Sequence, residues 1–443
     1  MNTSIKSRSL FSKILMALML VYALLDFFPV NASLGFLLFW VIAFVCACYC
    51  LIFPQQRLID RTNDIPVSFF VIWLSYALLS YLWAIEKKEA IVYCLIILRS
   101  SLLFTMYGAL FRNRKIRERA HWFLIVVMLG YLSIAIWELI TRHHLPISRL
   151  YGSFVPSPSG PFYGENVLAA FLILFLPYII MFPKLYNRRS LKYLSGLWIL
   201  LILSITIIQG ARIALISAIL LLLYIVLFHS SKSSKLISMI FVIMLIIGIS
   251  HFAPAVYELT IKGMQKELSS IGLETESARM SSVKIRKQLF VEGGDLLTNS
   301  YFMGVGGGNF ERYMDTDRIY RTGGITNPHN YFLELAGNFG LGILFLFLSV
   351  YIRWVYLLAQ KVRFGDPGKR NFYLMNLLSL LMFIPASAIP SSIKWNFLIW
   401  IYFAYINSIA VEDDAYQHLT SRQGYMPDYT TNLLTKAEVN ERI

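Results

Sequence analysis

Apolar runs long enough to cross a bilayer follow one another along almost the whole chain, separated by short polar or basic stretches. A helix crossing the hydrocarbon core needs about 20 mostly apolar residues. Such runs lie near 13–30, 34–53, 66–84, 90–111, 122–141 and 167–183, then near 193–209, 213–228, 236–253, 331–352, 372–389 and 394–411. The pattern predicts an all-α polytopic integral membrane protein with about twelve transmembrane helices. The first run follows Lys6, Arg8 and Lys13, as a signal peptide would. No small-residue cleavage site follows it and another apolar run starts within a few residues, so it reads as a retained span.

Basic residues test the count. With the N-terminus inside, the short inner loops carry Arg57 and Arg61, the group Arg112 to Arg119, Lys184 to Lys192, Lys232 and Lys235, and Arg353 to Arg370. The short outer loops hold only Lys87, Lys88, Arg142, Arg149, Arg212 and Lys394. This is a strong positive-inside bias, and it predicts that both termini are cytoplasmic. The chain then divides into spans one to nine (1–253), a long outer loop (254–330), spans ten to twelve (331–411) and a polar cytoplasmic tail (412–443).

Two outer segments depart from the short-connection pattern. Residues 142–166 are rich in Pro, Ser and Gly and end in Gly160-Pro161-Phe162-Tyr163-Gly164-Glu165-Asn166. The loop 254–330 is long and basic, and a loop of more than about 60 residues is exempt from the charge rule. Within it, residues 277–297 have the composition of a helix that lies along the membrane surface. Internal repeats of the kind that build symmetric transporters are not evident.

Composition narrows the class. Hydrophobic residues make up 57% and charged residues 15%, where a soluble domain carries about 25% charged. The net charge of +15 is spread in loop clusters that set orientation, which argues against nucleic acid as a partner. Cys46, Cys48 and Cys50 share one apolar run without any His or carboxylate. They read as small apolar residues in a lipid-embedded helix, and neither a metal nor a cofactor is expected.

Candidate chemistry collects on the outer side. Arg212 sits in the turn Gln209-Gly210-Ala211-Arg212, either snorkelling to the interface or holding a head group or phosphate. Arg279 and Arg286 are seven residues apart and share a face if 277–297 is helical. A glycine run, Gly304-Val305-Gly306-Gly307-Gly308, allows tight turns whose amides are free to meet anions. His329, in Asn327-Pro328-His329-Asn330, precedes the tenth span. Imidazole is suited to accept a proton near neutral pH, and guanidiniums hold phosphate through forked, charge-assisted hydrogen bonds. One histidine and two arginines beside a membrane suit attack by a hydroxyl on a sugar linked to pyrophosphate.

These residues resemble a family. His329-Asn330, followed after nine residues by Gly340, looks like the signature of the O-antigen ligase and polysaccharide polymerase family. The last position of that signature is Ile343 here, with Gly342 one place early. Gly210-Ala211-Arg212-Ile213 resembles the family's mid-chain arginine. Arg286, Phe290 and Gly304-Val305-Gly306 resemble its second arginine, and 162–170 the stretch that opens its sixth span. The resemblance implies an inverting, metal-independent membrane glycosyltransferase of the bacterial inner membrane. Its donor would be an undecaprenyl-pyrophosphate-linked glycan, and its acceptor a lipid A core or a growing polysaccharide of lipopolysaccharide or capsule. By that analogy Arg212 and Arg286, with Arg279 as a further candidate, grip the pyrophosphate, and His329 takes the proton of the acceptor hydroxyl or orients it. Asn330 and Glu334 are candidates for support, and Tyr163 and Glu165 for acceptor contact. A transporter or flippase of the same lipid-linked glycans is the alternative of a different class. It should show ionisable residues at mid-bilayer in several spans, whereas these span centres are nearly charge-free.

Overall fold

The computed structural model describes residues 39–41, 43, 63–186, 188–229, 282–316, 325–390 and 396–423, with side chains of the last segment to 412. Described residues are helical throughout and contain no strand. We label the helices α1 (Asp64–Ser80), α2 (Lys87–Phe111), α3 (Arg114–Thr141), α4 (Glu165–Tyr186), α5 (Arg189–Ile208), α6 (Arg212–His229), α7 (Ser282–Asn299), α8 (Phe310–Thr316), α9 (Tyr331–Phe364), α10 (Arg370–Ala386) and α11 (Leu398–Gln423). Five of them, within α2, α3, α4, α5 and α9, are long and apolar enough to cross a membrane, and α1, α6 and α11 contain shorter apolar stretches. The expected spans 13–30 and 236–253, almost all of 34–53, and the loop from 254 to 281 with Arg279 lie outside the described residues.

Helix α4 forms the centre. Its residues Leu168 to Ile179 are buried around the whole circumference, as expected of a helix that is hydrophobic on every face. It packs chiefly against α10 and α5, and also against α3 and α6. Buried polar groups pin the central helices together. Tyr178 donates to Asn376 Oδ1 (2.9 Å), Ser379 donates to the Leu174 carbonyl (2.7 Å), and Trp354 donates to Asn407 Oδ1 (2.9 Å). In an apolar surround such bonds stabilise by about 1 kcal/mol each and fix rotation as well as proximity. Around them Phe70, Trp73, Trp400, Phe403, Phe347 and Phe383 interlock edge to face.

One span centre carries a charge among centres that are otherwise nearly free of it. Arg99 lies midway along α2, its guanidinium 3.7 Å from the Phe397 ring centroid and 5.3 Å from that of Phe39. Aromatic faces are the apolar surface that a cation tolerates best.

Helix α9 is two helices joined at a break. Gly340 has φ 77° and ψ 175°, a combination only glycine adopts readily. The chain 302–310 is spliced into this break. Leu341 N–H donates to the Phe302 carbonyl (3.0 Å), Val305 N–H to Gly337 O (2.9 Å) and Gly306 N–H to Asn338 O (3.0 Å). Asn338 adds its own side chain, accepting from Phe310 N–H at 3.1 Å. The other edge of the loop is held by α1 and the turn beyond it: Tyr76 donates to Met303 O (2.8 Å), Trp83 to Gly304 O (3.0 Å), and Gly307 N–H to Ser80 Oγ (3.3 Å). The glycine run thus packs backbone against backbone, correcting the expectation that its amides face an anion. A Cβ at Gly304 would come within 2.7 Å of Asn338, and one at Gly306 within 2.8 Å of Ala84.

The helix expected over 277–297 is described from Ser282 to Asn299. It docks on the first turns of α9 as well as meeting solvent or lipid. Leu289 and Leu296 are fully buried, and a Cβ on Gly293 would lie 2.7 Å from Leu333, while Phe290 is exposed. At the signature's last position Ile343 is buried, whereas Gly342 faces open space.

A Cβ at residue 340 would sit 2.2 Å from the Phe302 carbonyl oxygen. Gly340→Ala therefore forces the splice apart and should cost on the order of 3 kcal/mol or more, combining positive-φ strain with lost hydrogen bonds. Gly342→Ala should be neutral or slightly stabilising, since alanine favours helix. Thermal unfolding of the two purified variants in detergent checks the contrast.

Candidate functional site

The loop at the start of α9 is shaped by its cap. Asn330 accepts from Phe332 and Leu333 N–H (2.9 and 3.1 Å), so its side chain is engaged in starting the helix. This fixes the residue before it in an uncommon conformation: His329 has φ 47°, which for a non-glycine residue requires the surroundings to hold it there. Tyr331 N–H donates to Ser387 O (3.0 Å), binding the loop to the turn that ends α10.

That same turn gathers the site. Arg286 Nη1 donates to the Ala388 carbonyl (3.3 Å), and the His329 ring lies against the backbone of Ile389. Three consecutive residues, Ser387, Ala388 and Ile389, therefore hold α9's start, the arginine of α7 and the imidazole. His329 Nδ1 is buried and has no hydrogen-bond partner among the described residues. Burial first, then the positive charge of Arg286 and, least, that of Arg149, lower the ring's pKa from 6.5 to about 4, against an opposing effect of the Ile389 backbone that exceeds the Arg149 contribution. At neutral pH the imidazole is therefore uncharged, with one buried nitrogen available to a proton.

Arg149 approaches from the outer loop 142–164. Its guanidinium forks onto Glu165 at the start of α4, Nε to Oε2 at 3.1 Å and Nη2 to Oε1. This bond holds the guanidinium charged more firmly than usual. Arg149 N–H also donates to Tyr163 O at 2.8 Å, with the Tyr163 ring largely exposed. Glu165 is thus committed to Arg149, and its placement at a helix N-terminus suits its charge. Its carbonyl and that of Pro158 accept from Gln209 Nε2 (3.2 and 2.7 Å). Gln209 belongs to the turn that delivers half-buried Arg212 to the first position of α6, with Gly210 at φ 65° supplying the reversal. The structure brings His329 and Arg286 together on the turn 387–389, and joins Arg149 to the Arg212 turn through Glu165 and Gln209. Glu334 is buried and faces Tyr93 and Tyr331 rather than the imidazole.

Another feature sequence reading passed over is the carboxylate that folds the outer loop. Glu138 is 1% exposed. Its Oε2 accepts from Ser159 and Gly160 N–H, both 2.7 Å, and its Oε1 from Ser159 Oγ at 3.2 Å. His144 Nδ1 lies 3.3 Å from that Oε1, and its Nε2 lies 3.0 Å from Val155 O. The loop is tied from below at 144, 155 and 159–160 and so presents Arg149 and Tyr163 in fixed places. The available signal was a carboxylate near the outer end of an otherwise apolar run.

Comparison with known proteins matches this region. A family model described as O-antigen ligase covers residues 196–348, the stretch holding Arg212, Arg286, His329 and Gly340. The chain is similar to the O-antigen ligase family. The resemblance read from the motifs is borne out. A curated relative, the teichuronic acid biosynthesis protein TuaE of Bacillus subtilis (strain 168), is 26% identical over 363 residues, covering 79% of this chain and 72% of the relative. Both likenesses fall on a chain whose described residues include five helices long and apolar enough to cross a membrane. Arg149 and Glu138 precede the matched stretch.

Replacing Glu138 by Ala removes the carboxylate that these donors converge on and leaves the Ser159 and Gly160 amides without their acceptor. Loss of a buried acceptor of this kind costs about 1–3 kcal/mol. Limited proteolysis should then cut within 142–160 faster than in the wild type, while far-ultraviolet circular dichroism stays unchanged.

Proposed function

We propose that the protein transfers or polymerises glycan from an undecaprenyl-pyrophosphate-linked donor onto an acceptor hydroxyl at the outer face of the cytoplasmic membrane. The acceptor is a lipid A core in the ligase form of the reaction and a growing polysaccharide in the polymerase form. The relative named for teichuronic acid biosynthesis favours the polymerase form. The observation that carries the reading is a half-buried, uncharged imidazole that shares the turn 387–389 with Arg286 at the start of α9.

In this reaction the acceptor oxygen attacks the anomeric carbon as its proton passes to the His329 ring. The bond from that carbon to the pyrophosphate oxygen breaks on the opposite face, so configuration inverts. Arg286 and Arg212 stabilise the negative charge that gathers on the departing pyrophosphate. Neither metal nor cofactor enters, because guanidiniums supply the positive charge. In this reading the chain has about twelve spans with divisions at 253, 330 and 411, both termini are cytoplasmic, and the chemistry lies outside. Cytoplasmic placement of the α2–α3 turn follows from its basic cluster.

His329→Ala should abolish glycan transfer with the protein still present in the membrane. Arg286→Lys and Arg212→Lys should each lose roughly tenfold or more in kcat/KM, because a point charge replaces the fork. The wild-type kcat/KM should stay flat through neutral pH and decline only as pH falls toward about 4, where the free imidazole becomes protonated. A decline centred near 6.5 in transfer assays, or full activity of His329→Ala, would remove the histidine from the mechanism. For topology, a single cysteine placed at 113–119 in a cysteine-free background should resist an impermeant thiol reagent in intact cells and react after permeabilisation.

A further inference from the structure

We propose that Arg149 is a third guanidinium of the donor site: clamped by Glu165 beside the turn that bears Arg212, it donates its remaining N–H groups to the diphosphate of the lipid-linked donor. The proposal rests on the transfer reaction above.

A guanidinium carries five N–H donors. Arg149 spends its Nε and Nη2 edge on the Glu165 carboxylate, and its Nη1 makes no hydrogen bond among the described residues. The pair is not placed for stability, since the Arg149 side chain is 50% exposed and a half-exposed ion pair contributes little to folding. Its backbone is nonetheless fixed twice: Arg149 N–H on Tyr163 O, and Glu165 O on Gln209. A charged fork that is oriented and half open is what anion capture needs, because the cost of ordering the side chain is met before the ligand arrives.

Position supplies the second argument. Arg286 comes from α7 and rests on Ala388 O, whereas Arg149 comes from the loop 142–164 and rests on Glu165. The Glu165 carbonyl accepts from Gln209, which places the Arg149 clamp against the turn that carries Arg212. Anchored guanidiniums delivered by separate elements suit a diphosphate, whose two phosphate groups need donors from more than one direction.

The test uses full-length protein in detergent, with farnesyl diphosphate as a soluble donor mimic and farnesol as the uncharged control. Arg149→Gln should weaken farnesyl diphosphate binding by roughly ten- to a hundredfold, the effect of losing hydrogen bonds to a charged group, and leave farnesol binding unchanged. In transfer assays the same variant should raise the donor KM far more than it lowers kcat. It should also move the acid limb of kcat/KM upward, since a positive charge acting on His329 is gone, whereas Arg149→Lys, which keeps that charge, should leave the limb where it is. Binding of farnesyl diphosphate within about twofold of wild type, or an equal loss for farnesol, overturns the proposal. If Arg149→Gln fails to fold, Arg149→Lys, which keeps the charge and loses the fork, is expected to bind severalfold more weakly, and a wild-type value overturns the proposal. Absence of any transfer by the wild type, with Arg149-dependent diphosphate binding intact, would sink the transfer reaction and leave this site standing.

Discussion

The site depends on a backbone exchange at a broken helix. Gly340 interrupts α9, and a break inside a membrane bundle exposes amides and carbonyls that have no water to turn to. The chain 302–306 supplies their partners, giving Phe302 O to Leu341 and taking Gly337 O and Asn338 O for Val305 and Gly306. An unmade bond in that setting costs several kcal/mol, so loop and break are stable only together. Close approach is possible because side chains are missing on both strands of the exchange, at Gly304, Gly306 and Gly340. The loop that follows α7 is thereby fixed to the half of α9 that begins at Tyr331, two residues after His329, and α7 brings Arg286 with it.

Electrostatics then follow from where these elements meet. His329 is half-buried with its Nδ1 enclosed, its backbone is left-handed, and desolvation and the charge of Arg286 disfavour a charged ring. A base that is uncharged at rest and close to positive charge has a defined use. It accepts a proton most readily when an anion occupies the site and offsets the neighbouring cations. The arrangement couples the proton step to donor occupancy without any moving part.

The outer loop 142–164 is ordered by a different device. Glu138 gathers Ser159, Gly160 and His144 beneath it, and Arg149 and Glu165 close it above. A proline- and glycine-rich segment with few apolar anchors gains its shape from one buried carboxylate. That explains why a loop of this composition holds a fixed arginine.

Much of this was legible in the chain itself. Described helices fall at nine of the expected apolar runs, because hydrocarbon thickness sets a length that sequence displays directly. His329, Arg286 and Gly340 were recognisable from their spacing, and Asn330 from its position before a helix. Three things were not. The glycine run looked like an anion cradle, and only the fold shows its amides spent on a helix break some thirty residues away. Arg149 read as one outer-loop charge among several, since its worth lies in meeting Glu165 and the field of His329. Arg99 sat unremarked in an apolar run, since the aromatic rings that shelter it come from other helices. Local sequence sets which segments enter the bilayer and which side chains carry charge. Which of those charges share one small volume is decided by contacts between distant segments, where burial and a neighbouring guanidinium turn an ordinary histidine into an uncharged base.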